Sequence, residues 1–300
     1  MRRVMRAAAA GLLTAVLVAC GQSTPTQVAT ASPSTSTIAP TVAPTVAITP
    51  APTEAGVPTE LQAIIGATSR LGSASIDFGV GFRGSSLAGD GDLASGGGNF
   101  IAMTPLVGTM EMDMRAAGLG RMELVIDGPV IYMRGGSFKS WAPNGEWIRI
   151  DTTSDHPNAQ LFTDALAQSS DPWASLSLLL GATGPAETLP ATTLDGIEVR
   201  HLRFTVDLDL SVERAPASQR DALLIQVADL RSQGIPSEFQ ADVWVDADDQ
   251  IRRAQYEFAM PPLAGGGFMV LWYEFSDFGL EFELPNIRKR DIVDIEDVEF

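Results

Sequence analysis

A single cysteine, Cys20, and two histidines, His156 and His201, stand in 300 residues. One cysteine cannot build a disulfide framework or a Cys-based metal cluster, and two histidines do not suggest a His-rich metal site. Basic residues are also scarce: 20 Lys plus Arg face 37 Asp plus Glu, for a formal charge of -17 and a pI near 4.4. Nucleic acid is therefore excluded as a partner, because phosphate binding needs a basic stripe. Charged residues are only 19% of the chain, whereas 45% is hydrophobic. Most of it should fold, and 31.8 kDa allows one large domain or two small ones. These balances favour a binding or structural protein over a metalloenzyme, and no cofactor is expected.

The N-terminus reads as a secretion signal over residues 1–19. Arg2, Arg3 and Arg6 form a positive start, and Ala7 to Ala19 is an uncharged stretch too short to span a bilayer core of about 30 Å. It ends in Leu17-Val18-Ala19-Cys20-Gly21, which resembles the bacterial lipobox. The resemblance implies that Cys20 carries a diacylglyceryl group and becomes the first mature residue. An acidic body is repelled by anionic head groups, so the acyl chains themselves would hold the protein to the membrane. Gly21 stands where the Asp of an inner-membrane retention cue would be. The expected location is the outer face of the cell membrane.

Residues 20–59 read as the lipidated cysteine and a stalk. Residues 21–60 hold ten Thr, seven Pro and seven Ala, with no aromatic. Such a segment cannot bury enough apolar area to offset its ordering entropy, and its prolines bias it to polyproline II. A disordered spacer is expected, whether it serves to clear the membrane or is an unconstrained tether.

From residue 60 to 300 the pattern is that of one α+β domain. Leu61, Ile64, Ile65 and Leu71 suggest a short amphipathic helix. Ser75 to Phe82, Thr109 to Arg115 and Arg121 to Ile126 alternate as half-buried strands. Asn99 to Thr104, Val130 to Met133 and Glu146 to Ile150 are further strands, with Asp127-Gly128 a hairpin turn. Helical spacing follows at Leu161, Phe162, Ala165 and Leu166, and Asp171-Pro172 opens a helix through Leu180. A long strand is predicted over Val199 to Leu210, a helix over Ser218 to Gly234, and a meander over Phe239–Val245, Ile251–Met260 and Gly267–Phe275. The expected architecture is one strongly curved antiparallel sheet, a half-barrel, with helices on its concave face.

Several segments resemble a known family. Asp171-Pro172-Trp173 through Leu180, Leu194-Asp195-Gly196 through His201, Val243-Trp244-Val245-Asp246 with Arg252-Arg253, and Phe275-Ser276-Asp277-Phe278-Gly279 are similar to stretches of the LppX/LprG-type lipoproteins, which belong with the LolA-like carriers. The resemblance implies a half-barrel enclosing an apolar cavity for acyl chains, and no catalytic residues. A monomer is expected, transferring a lipid or lipidated ligand passively or with a membrane transporter or other envelope partner.

Other motifs have plainer readings. Gly79-Val80-Gly81-Phe82-Arg83-Gly84 spells a dinucleotide fingerprint but lies within a strand, where it cannot place phosphates at a helix start. Asp277-Phe278-Gly279 is a turn after a strand. Asp246-Ala247-Asp248-Asp249 lacks the central glycine of a calcium loop and reads as a hairpin turn. Asp90-Gly91-Asp92 and Asp291, Asp294, Glu296, Asp297 and Glu299 read as solvated acids. No Gly-x-Ser-x-Gly elbow accompanies either histidine, so an enzyme is not expected.

Three apolar rows carry the functional expectation: Ile76, Phe78, Val80 and Phe82; Met110, Met112 and Met114; and Leu202, Phe204, Val206 and Leu208. Opposite them lie Asp77, Glu111, Asp113, Arg203, Asp207 and Asp209, which belong in water. The rows are expected to line the ligand cavity, under helices from 158–180 and 218–233. Six methionines between 103 and 133 suit a pocket for variable chains and equally suit an irregular core. Two functions follow: a lipid carrier with an open cavity, or a non-carrier envelope scaffold or sensor whose core is filled by its own side chains.

Overall fold

The computed structural model describes residues 57–86, 89–101, 106–160, 175–232, 234–262 and 265–298. The signal segment, Cys20, the stalk, Met103 and the helical pattern from Leu161 to the Asp171-Pro172 start lie outside them.

Twelve strands form one sheet: β1 (Ser73–Arg83), β2 (Gly91–Ile101), β3 (Val107–Met114), β4 (Gly120–Asp127), β5 (Val130–Gly135), β6 (Trp147–Asp151), β7 (Ala182–Leu194), β8 (Ile197–Asp207), β9 (Glu238–Val245), β10 (Ile251–Ala259), β11 (Phe268–Ser276) and β12 (Ile292–Asp294). Their order is β12-β6-β5-β4-β3-β2-β1-β11-β10-β9-β8-β7, so β12 and β7 are the edge strands among the described residues. Every pairing is antiparallel except β12 on β6. Helices with both ends among the described residues are α1 (Thr59–Ser69), α2 (Leu208–Arg214) and α3 (Ala217–Ser232). This is the expected α+β class: a single curved, open, antiparallel-rich sheet of the half-barrel kind.

One face of the sheet is apolar and carries the helices. Leu61 and Ile64 of α1 and Leu223, Val227 and Leu230 of α3 are buried in the same core as the inner strand residues. A 3-10 turn over Ser177–Gly181 adds Leu178 and Leu179, both fully buried. At the centre is Tyr256, fully buried, whose hydroxyl donates to the carbonyl of Ser175 at 2.9 Å. Burial pushes its hydroxyl pKa well above the ordinary value near 10. A raised folded pKa means stability is intact below the unfolded value and lost as pH rises beyond it. Alkaline titration followed by circular dichroism should show Tyr256 costing about 1.4 kcal/mol per pH unit above pH ~10. Tyr256→Phe should remove that part of the slope; an unchanged slope would contradict the assignment.

Four local expectations are corrected. The strand predicted to Leu210 stops at Asp207, whose carboxylate accepts from the N–H of Asp209 (2.8 Å) and Leu210 (2.9 Å) and starts α2. Leu208 is therefore a buried helical residue rather than a strand one. Strand β7 was not expected; with Pro185, Pro190 and two register shifts it survives only as an edge. Strand β2 begins at Gly91, eight residues before the predicted start, and absorbs Asp92. The acidic tail is likewise anchored: Asp294 accepts from Arg149 at 3.1 Å, Glu296 from Ser154, and Ile295 is fully buried.

Candidate functional site

Pairing registers define a row across the helix-covered face: Met122, Met112, Gly96, Phe78, Tyr273 and Ala254 stand opposite one another on β4, β3, β2, β1, β11 and β10. Burial along this face is uneven. Of the eleven predicted cavity residues, Ile76, Val80, Met110, Met114, Leu202, Phe204, Val206 and Leu208 are each 6% exposed or less and belong to the packed core. Phe78, Phe82 and Met112 are half-buried and pack against it. The structure thus brings all eleven into one apolar assembly but divides them. The β8 row is filled by neighbours, while the middle of β1 and β3 keeps accessible apolar surface.

Two half-buried neighbours were missed by sequence reasoning, Leu271 and Tyr273 of β11. Leu271 faces Val80 and Tyr273 faces Phe78, with 6.4 Å between the rings of the latter pair. Strand β11 is apolar on both faces, so alternation could not reveal which of its residues point inward. Gly96 supplies the gap in the patch. A Cβ there would sit 2.7 Å from the ring of Phe78 and 2.3 Å from the carbonyl of Glu111. Chemically the patch offers aromatic and thioether surface that can shed water onto an apolar ligand.

The opposite face is polar and extensively paired. Asp242, nearly buried, accepts from Arg203 Nε and Nη2 at 2.8 and 2.9 Å and lies 3.1 Å from His201 Nε2. The His201 ring stacks on Trp244 at 4.2 Å. Those bonds raise the Arg203 pKa, chiefly through Asp242. Asp246 accepts from the N–H of Asp248 and Gln250 and from Arg252 Nε at 2.6 Å, making the expected hairpin turn. Arg252 in turn lies 4.6 Å from the Phe278 ring, and Arg253 Nη1 donates to Glu274 at 2.8 Å. The polar residues His201, Asp246, Arg252 and Arg253 of the family-like segments, with Asp242 beside them, therefore brace the sheet and are not among the residues of the apolar patch. A cavity of about 530 Å³ lies on this outer side, bordered by Asp77, Glu111, the Glu123–Arg134 pair, Trp147 and Pro285. Among the described residues, no group of three or more His, Cys, Asp or Glu side chains is placed to hold a metal.

No family model matches the sequence, and no curated protein matches it. Among solved structures, the lipoprotein LppX of Mycobacterium tuberculosis is similar at 16% identity, with 75% of this chain and 96% of that one covered and a TM-score of 0.45. LprF from Mycobacterium bovis is 12% identical over 77% of this chain and 99% of its own, with a TM-score of 0.42. A LolA superfamily protein from Nitrosomonas europaea is 10% identical over 75% and 94%, with a TM-score of 0.25. The chain itself folds as one open sheet whose apolar face carries helices.

Proposed function

We propose that the protein is a membrane-anchored extracytoplasmic lipoprotein that holds a lipid or other acylated molecule against the helix-covered face of its sheet. In this reading residues 1–19 are removed, Cys20 is lipidated, residues 20–59 form the tether and residues 60–300 are the binding domain. The observation that carries it is the half-buried apolar patch of Phe78, Phe82, Met112, Leu271 and Tyr273, packed against the buried core. Burying one sixteen-carbon chain there would contribute on the order of 10 kcal/mol before ordering costs, enough for stable sequestration. The filled β8 region favours the second reading, a scaffold or sensor without a ligand.

Native mass spectrometry of the full chain carrying Cys20→Ser, which has no acyl chains of its own, separates the two. The parent should carry co-purifying lipid or take it up from vesicles. Met112→Trp adds volume without charge beside Gly96 and Phe78 and should reduce lipid occupancy at least several-fold while leaving the melting temperature within a few degrees. A clean apo mass with no uptake would establish the scaffold instead. Unchanged occupancy in a folded Met112→Trp protein would remove Met112 from the site.

A further inference from the structure

A cavity of about 420 Å³ opens at the rim of the sheet, between the Gly118–Arg121 turn and Gly136, Ser137 and Lys139. Its charge is unusual for a chain of formal charge -17. Arg115 saturates Asp113 with Nε at 2.9 Å from both oxygens and Nη2 at 2.6 Å from one. Arg121 touches the same carboxylate only through Nε, at 3.3 Å. Lys139, one of two lysines in the chain, has no ion-pair partner among the described residues. With Arg115 pairing Asp113, Arg121 and Lys139 leave two positive charges at the cavity, which Ser137 also lines.

The Gly136 wall of this cavity backs onto Met122, the buried end of the apolar row. A Cβ on Gly136 would lie 2.7 Å from the Cγ of Met122, so the cavity wall rests directly on an inner-face side chain. Met122 stands opposite Met112, Met112 opposite Gly96, and Gly96 opposite Phe78. One strand spacing of about 4.8 Å separates Met112 from Met122, and three put Phe78 roughly 14 Å away.

We propose that the rim cavity binds a phosphate-type anionic headgroup through Arg121 and Lys139, and that the ligand is an anionic phospholipid whose chains run along the Met122–Met112–Phe78 row. This rests on the carrier reading above and names its ligand class. Cation-to-phosphate hydrogen bonds are charge-assisted, so losing one should weaken binding about tenfold.

The test uses the full chain with Cys20→Ser and phosphatidylcholine vesicles doped with equal amounts of either dioleoylphosphatidylglycerol or dioleoylglycerol, which share acyl chains. The phosphatidylglycerol should be taken up at least tenfold better. Lys139→Ala and Arg121→Ala should each lower its uptake about tenfold and leave dioleoylglycerol uptake unchanged. Both side chains are exposed, so the variants should melt with the parent; Lys139→Gln provides a second neutral variant. Equal uptake of the two lipids, or variants that keep the parent's preference, would overturn the headgroup assignment alone. Uptake of neither lipid would overturn the carrier reading beneath it. Inorganic phosphate is the third probe: binding as tight as phosphatidylglycerol, lost in the same variants, would make this a free-anion site and overturn the lipid assignment.

Discussion

Gly98→Val should abolish normal folding or lower the melting temperature more than any single surface change. A Cβ at residue 98 would sit 1.8 Å from the carbonyl oxygen of Thr109 and 2.8 Å from the Cα of Met110. Both are backbone atoms of the paired strand β3, so the relief must come from moving a strand and not from turning a side chain. Overpacking of this kind costs about 3 kcal/mol or more. For a domain of roughly 240 residues that is on the order of 6–12 °C in Tm. Gly66→Ala provides the opposite sign within the same molecule. Gly66 lies in α1, and its Cβ would meet only the Arg70 Nη1 at 3.5 Å, ordinary contact. It should stabilise by about 0.5–1 kcal/mol through helix propensity and a less flexible unfolded chain. Thermal denaturation of both variants checks the pair, and a Gly98→Val protein that melts with the parent would contradict the close approach of β2 and β3.

The same glycines explain where the sequence could be read and where it could not. Strand β1 was legible because Ile76, Phe78, Val80 and Phe82 alternate with small or acidic residues. Residues 91–98 of β2 were not, and there Gly96-Gly97-Gly98 presents no side chains to alternate; the space is occupied by Phe78, the Asp77 carboxylate and the Thr109 carbonyl. Strand β7 was hidden for a different reason. Its Thr and Pro residues face solvent at an edge, where no buried face imposes a pattern. The end of β8 shows a local cap overriding periodicity: the alternation through Leu208 and Leu210 continues, yet Asp207 captures two N–H groups and turns the chain into α2.

For the candidate site, the sequence separated the two faces of the sheet but not the filled part of the apolar face from the open part. Met110, Met112 and Met114 are equivalent by alternation, yet Met110 is 6% and Met114 1% exposed while Met112 is half-buried. The difference depends on which neighbours lie over each residue, and alternation along a strand carries no such information. The polar residues that resemble the LppX/LprG-type pattern turned out to mark the bracing of the outer face.

One carboxylate placed at two positions on the same face should make this division measurable. Phe204 is 1% exposed and faces Ala241 across β9 and β8, within the filled region. Phe204→Glu removes a buried ring, worth about 3–5 kcal/mol, and leaves an acid buried in its place, a further cost of several kcal/mol. The sum is comparable with the ~5–15 kcal/mol that holds a whole domain together, so the protein should be largely unfolded or insoluble. Met112 has accessible surface and only Gly96 and Met122 directly opposite it. A glutamate there can remain hydrated, and Met112→Glu should cost only about 1–2 kcal/mol. It should nevertheless eliminate lipid uptake, because a bound acyl chain would strip water from the new charge. Denaturant melts and vesicle uptake on the two variants give the result. If Met112→Glu unfolds like Phe204→Glu, the middle of the face is core and the patch is no site; if it folds and still takes up lipid, the chains lie elsewhere.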